Sequence, residues 1–440
     1  MKKLASVLLY LLVFSCGAAA QRPTDVVIGA APAAETANEL RMKTFDIVWR
    51  TVKEKHFDPT LGGVDWEKVR ERYQPRAAAA AGDPELYRIL QEMLGELGQS
   101  HFNIIPPEAV MADEDREPSG SIGIDLRLIE GRAIVTRVDP ASAADLAGLR
   151  PGFIIRQVGE KPVAQMFEAF SKSSLSPALK TVKLSRRILG EINGDPGSAV
   201  KLLYLDGRDQ PHEVVIKRER LKGEISPRLG NFPPQYTEFE AKRLAGNIGY
   251  IRFNIFTTPV SPKIRAAIAS FQDTDGIIID LRGNPGGVAG IATGMAGQLS
   301  DKAGSLGTMK MRATELKFAI FPQANAYTGP LAILIDGLSG STSEVFSSGM
   351  QEIGRAVVIG ERSAGACLPS YFQKLPTGAL FQFAIADFKT PKGMLVEGRG
   401  VSPNIEVRWD RASLLSGRDA QLEAAIGQVR QLQSKSRGVK

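Results

Sequence analysis

The sequence predicts a multidomain α+β protein with an N-terminal helical segment, a β-rich middle domain and an α/β core. Three observations predict it. Apolar residues recur at helical spacing up to about Leu97, alternate at the strand period from Ile122, and past Ile248 form short buried runs, each followed by a loop and a helix. The length of 440 residues allows several domains, and 43% hydrophobic with 23% charged residues is globular composition. Lys plus Arg outnumber Asp plus Glu by 55 to 48, yet no basic run of the nucleic-acid-binding kind occurs. Nucleic acid is therefore not an expected partner. Two cysteines and three histidines exclude a disulfide framework and argue against a multi-ligand zinc site, and nothing else in the sequence implies a metal or an organic cofactor.

Residues 1–20 read as a cleaved secretory signal. Lys2 and Lys3 precede the apolar run Leu8 to Phe14, and Ala18, Ala19 and Ala20 supply small residues for cleavage after Ala20. The competing reading is a lipoprotein acylated at Cys16, against which the bulky Phe14 argues. Either predicts a periplasmic or secreted protein, with no further stretch able to span a membrane.

Residues 21–112 form the expected helical domain. Phe45, Val48, Trp49 and Val52 share one face, and Leu86, Ile89, Leu90, Met93, Leu94 and Leu97 form a second stripe. Asp83 is the expected N-cap of that second helix, with Pro84 at its first position. Gly98 then ends the helix and delivers Gln99-Ser100-His101-Phe102 on a loop. Residues 113–118 read as a linker.

Residues 113–218 form the expected middle domain. Its order is strand, strand, a small-residue helix at 141–147, the turn Gly148-Leu149-Arg150-Pro151-Gly152 and another strand, which resembles a PDZ domain. Ser121-Ile122-Gly123-Ile124 matches the carboxylate-binding loop, and the adjacent strand edge would accept an extended peptide as an added strand. The alternative is a domain that only positions its neighbours. Residues 166–197 exceed the need of such a domain and predict an inserted helix, a candidate lid or contact surface.

Residues 219–412 form the expected core, with 413–440 a C-terminal helix and tail. Buried strands at 276–281 and 331–335 run into Arg282-Gly283-Asn284-Pro285-Gly286-Gly287 and Asp336-Gly337-Leu338-Ser339-Gly340-Ser341-Thr342-Ser343-Glu344. The first loop offers unobstructed backbone amides for an oxyanion, and the second offers hydroxyls at a strand-to-helix turn. Each alone is equally an ordinary turn.

Together with Gly400-Val401-Ser402-Pro403-Asn404-Ile405 and the preceding domains, these motifs resemble the S41 peptidase family of C-terminal processing and tricorn-like serine proteases over nearly the whole mature chain. The resemblance implies a core of the ClpP or crotonase type, a serine peptidase acting on protein or peptide substrates, and Ser341 as nucleophile. It implies oxyanion donation by the Thr342 amide and by Gly286 or Gly287, with Gly287 first, and structural roles for Ser339 and Ser343. The processing branch takes a lysine 25 residues beyond the nucleophile, where this chain has Ala366, and Lys374 comes eight residues late. The tricorn-like branch takes a histidine after the N-terminal helices and a late glutamate, which Ser100-His101 and Glu397 match. His101 is then the general base, oriented by Ser100 with support from Glu397. His56 is expected to cap the first helix or lie at the surface, His212 to be solvated in a turn, and Cys367, Glu344 and Glu352 to be structural. The competing readings are a non-catalytic peptide-binding protein and a lysine-based peptidase.

Overall fold

The computed structural model describes residues 36–109, 120–171, 175–221 and 223–438. The signal segment, Cys16 and the linker at 113–118 lie outside the described residues.

Five parallel strands make the centre of the molecule. The sheet runs in the order Phe239–Leu244, Ile248–Phe253, Gly276–Asp280, Leu331–Ile335, Val357–Gly360 and Ile405–Glu406, and the first strand alone is antiparallel to its neighbour. Side chains alternate between two cores. Ile277, Ile279, Ile333 and Ile335 pack with the helices Val260–Ser270, Ala289–Leu299 and Thr342–Glu352, while Ile278, Ala332 and Leu334 pack under Ala425 and Val429 of the C-terminal helix Ala420–Gly438. Both faces are covered, which is why these strands read as unbroken apolar runs. Asp280 and Arg282 form a buried pair at 2.6 Å, and Arg282 also reaches Asp419 at 2.8 Å, tying the sheet's carboxyl end to the C-terminal helix.

A second sheet contains Ile124–Ile129, Arg132–Val138, Ile154–Val158, Ala199–Leu205 and Pro211–Lys217, with Ile124–Ile129 at one edge. The segment expected to hold one inserted helix holds most of two, Val163–Ser171 and Pro177–Ile192, broken near Pro177. The second packs into this sheet's core through Leu184, Ile188 and Ile192. Val182, on a neighbouring face, meets Leu338, Ala364 and Ala366 of the central domain.

The N-terminal helices Ala37–Lys55, Trp66–Ala78 and Asp83–Gly95 share their core with Leu368, Leu375, Phe381 and Phe383. Asn103–Ile105 pairs with Leu380–Ala384, which pairs with Ser370–Lys374. The early and late parts of the chain are therefore locked together just beside His101. Asp83 does not cap its helix. Gly82 occupies the N-cap without a side-chain bond, and the Asp83 carboxylate lies 3.6 Å from Arg41 instead. His212 lies on the strand Pro211–Lys217 rather than in a turn, exposed and 3.0 Å from Asp206.

Phe381 is fully buried in the core that joins these two parts of the chain. Phe381→Ala is expected to cost about 3–5 kcal/mol, read as a lower urea midpoint at unchanged slope.

Candidate active site

The two motif loops follow adjacent parallel strands and meet at their carboxyl ends, where α/β sheets gather functional groups. Their side chains stitch them together. Ser339 Oγ donates to Leu281 O at 2.8 Å and accepts from the Asp336 amide at 2.9 Å. Ser343 Oγ lies 2.9 Å from Asn284 O, the Gly340 amide donates to the same carbonyl at 3.0 Å, and Thr342 Oγ1 donates to Gly287 O at 2.7 Å. Ser343 therefore clamps the neighbouring loop, a structural role.

Ser341 begins the helix in a sharp turn, with φ 52° and ψ −118°. A non-glycine residue held there stores strain of about 1–3 kcal/mol. Its amide is held at 2.8 Å by Ala366 O and at 3.0 Å by Glu344 Oε2. Gly286 must be glycine, because a Cβ on it would fall 2.6 Å from Ser341 Cβ and 2.8 Å from the Thr342 nitrogen.

The candidate oxyanion donors separate. The Gly286 amide is taken by Asn284 Oδ1 at 2.9 Å, so it is not a free donor. Gly286 O accepts from the Phe256 amide at 2.7 Å, which turns the Gly287 N–H of that trans peptide away from Phe256. Neither the Gly287 nor the Thr342 amide has an acceptor among the described residues.

Ser100 and His101 reach this region on the loop after the third helix. That loop is braced from behind by His56, which is buried at the cap of the first helix. The Asp58 amide donates to its Nδ1 at 3.0 Å, and its Nε2 bonds Gln99 Oε1 at 2.8 Å. Glu397 Oε1 accepts the Ser100 amide at 2.7 Å, and Oε2 accepts both Ser100 Oγ and the Cys367 amide at 2.8 Å. Ser100 Oγ is 2.7 Å from His101 Nδ1. With the single hydroxyl proton given to Glu397, Ser100 Oγ accepts from Nδ1–H, and Nε2 keeps its lone pair. Burial, with Arg186 nearby, pushes the His101 pKa down to about 4. Burial raises that of Glu397.

No direct hydrogen bond joins His101 to Ser341 Oγ. The connection runs from His101 through Ser100 and Glu397 to the Cys367 amide, which belongs to the same peptide group as the Ala366 carbonyl that holds Ser341. Ala366 thus sits against the Ser341 turn, and Lys374 lies exposed at the far end of the strand Ser370–Lys374.

Sequence reasoning undervalued Glu344. Fully buried, it accepts from Ser363 Oγ at 2.5 Å, Gly365 N at 2.7 Å, and Ala366 N and Ser341 N at 3.0 Å. Burial raises its pKa to about 7. The Ser-x-x-Glu spacing of a capping box was its signal. Glu352 accepts the Lys392 amide at 2.7 Å, at the protein surface. Asn404 Oδ1 accepts from Val358 N at 2.8 Å, a bond an aspartate would make equally well. The Cys367 thiol is buried and pushed up by burial and by Glu344 and Glu397, so it is no nucleophile. In the middle domain, Ile122 is core, and the Gly123 amide is already taken by Ser121 Oγ at 3.1 Å. A cavity of about 790 Å³ opens beside Gly123, Ile124 and Leu189, away from Ser341 and His101.

The profile of peptidase family S41 matches residues 247–407, and that of the tricorn protease C1 domain matches residues 38–95. Through residues 247–407 the chain is similar to peptidase family S41. It is accordingly a serine-type peptidase, a hydrolase of protein or peptide substrates. The carboxyl-terminal-processing protease of Synechocystis sp. is 24% identical over 388 residues, covering 86% of this chain and 84% of that one. Tricorn protease homolog 1 of Streptomyces coelicolor is 26% identical over 416 residues, covering 89% of this chain and 35% of that one. The photosystem II D1 C-terminal processing protease has the same fold, with a TM-score of 0.59 and 20% identity over 89% of this chain and 97% of that one. The mixed α/β multidomain architecture is thus that of this S41 peptidase group.

Because the protein has three histidines, their imidazole NMR signals are separable. Arg186→Met should move the His101 titration upward from about 4, since it removes a nearby positive charge.

Proposed function

We propose that this peptidase cleaves peptide bonds through an acyl-enzyme on Ser341, with His101 as general base. The observation that carries the reading is the Glu397–Ser100–His101 chain, which leaves Nε2 as the unprotonated ring nitrogen. As the substrate carbonyl settles over Ser341, Nε2 takes the hydroxyl proton and Oγ attacks the carbonyl carbon. The developing oxyanion is met by the Gly287 and Thr342 amides, the two unclaimed donors on either side of Ser341. The imidazolium is stabilised through Ser100 by Glu397 and returns its proton to the leaving amine. Water then attacks the acyl carbon by the same route. The missing Ser341–His101 bond is one that substrate binding would complete, since catalytic hydrogen bonds tighten in the Michaelis complex. The lysine-based route is disfavoured by Ala366 beside the nucleophile turn.

The middle segment at 113–218 is proposed as a PDZ-like domain, and 219–412 as a peptidase core of the ClpP type. Support for a peptide groove comes from the strand Ile124–Ile129 at a sheet edge, with Leu189 of the helix Pro177–Ile192 lining the same cavity as Gly123 and Ile124. The leader at 1–20 supports export. Among the described residues no helix is long and apolar enough to cross a membrane.

A fluorophosphonate probe should label the wild-type protein and not Ser341→Ala. Persistent labelling of that variant would remove the nucleophile. His101→Ala should slow acylation about 10²–10⁴-fold with folding intact. Because the base must be neutral, kcat/KM should rise with pH through about 4 and level off by about pH 6. No loss in His101→Ala would reject His101 as base, whereas an acid limb near 6.5 would show that burial does not depress its pKa.

A further inference from the structure

Asp336 is fully buried at the end of the strand Leu331–Ile335, and three parts of the protein meet on its carboxylate. Oδ1 accepts the Gly283 amide at 2.9 Å and the Leu338 amide at 3.0 Å, holding the glycine loop and the nucleophile loop on one atom. Oδ2 accepts Arg127 Nε at 2.6 Å. Arg127 comes from the second sheet, on the edge strand Ile124–Ile129, and is itself buried. Its guanidinium is fixed at both ends. Nη1 donates to Leu126 O at 2.8 Å, and Nη2 is packed so closely over Gly283 that a Cβ there would lie 2.6 Å away.

We propose that Arg127 is a positioning residue for the peptidase reaction, a strut from the middle domain that fixes Asp336 and through it the spacing between Gly287 and Ser341. The inference rests on the Ser341 acyl-enzyme reading. A buried carboxylate needs a buried countercharge, and this one is the common anchor of both loops. Without Arg127 the carboxylate seeks solvent or another donor, and the two loops lose their shared acceptor. The spacing of nucleophile and oxyanion donors tolerates little: a displacement of about 1 Å can cost about 10²-fold in rate.

A control lies in the same interface. Arg252 of the central sheet bonds Asp125 of the same edge strand at 2.7 Å, joining the same two sheets without touching either loop. In the full chain, Arg127→Met should lower both kcat for a peptide and the rate of fluorophosphonate labelling by about 10- to 100-fold, with KM within about twofold. Arg127→Lys should recover part of the loss, and Arg252→Met should stay within about twofold of wild type. If Arg127→Met is too unstable to assay, Arg127→Met/Asp336→Asn takes its place with the same expectation. It removes both charges and keeps Oδ1 as the loop acceptor. Wild-type kcat in the Arg127 variants, or an equal loss in Arg252→Met, overturns the proposal, the latter by reducing Arg127 to domain docking. Failure of the wild-type protein to label at Ser341 would instead sink the acyl-enzyme reading itself.

Discussion

The site depends on holding one serine in a backbone conformation that serine does not favour. Ser341 at φ 52° is strained, and the strain is sustained by a buried carboxylate four atoms deep in hydrogen bonds. Glu344 accepts from Ser341, Ser363, Gly365 and Ala366 at once. These bonds fix the turn geometrically, while burial opposes the charge on Glu344 and raises its pKa to about 7. The same bonds lay the 363–366 segment against Ser341, and Cys367 then offers its amide to Glu397. One carboxylate thus shapes the turn and delivers the attachment point for the histidine's support.

The second requirement is that distant chain segments share a core. Ser100 and Glu397 are 297 residues apart in sequence, and their contact persists because Asn103–Ile105 pairs with Leu380–Ala384 and the N-terminal helices bury Phe381 and Phe383. Burial near that junction suppresses the charged form of His101, and Arg186 on the Pro177–Ile192 helix adds to the effect. The imidazole is therefore neutral over the ordinary pH range.

Local pattern made much of this legible. The unbroken runs at 276–280 and 331–335 announced strands covered on both faces, and Gly286 announced a backbone that something approaches closely. Ser-x-x-Glu at 341–344 was legible as a cap but not as a four-donor clamp, because three of its donors come from a loop 19 to 22 residues on. Asp83 misled for a related reason. Cap preference is a local rule, and here the helix starts one residue early, with Gly82 as N-cap and Asp83 inside the first turn.

The residue types, the spacing of the serine and glycine motifs, and the lack of a lysine at position 366 are properties of the sequence alone. They are enough to place the nucleophile turn on a strand-to-helix junction and to name His101 as the candidate base. The acceptor that occupies the Gly286 amide, the tautomer of His101, the roles of Glu344 and Asp336, and the reach of Arg127 from another sheet were decided only by the tertiary structure. Each depends on which hydrogen-bond partner is already occupied, and occupancy is set by atoms brought together from positions far apart in the chain.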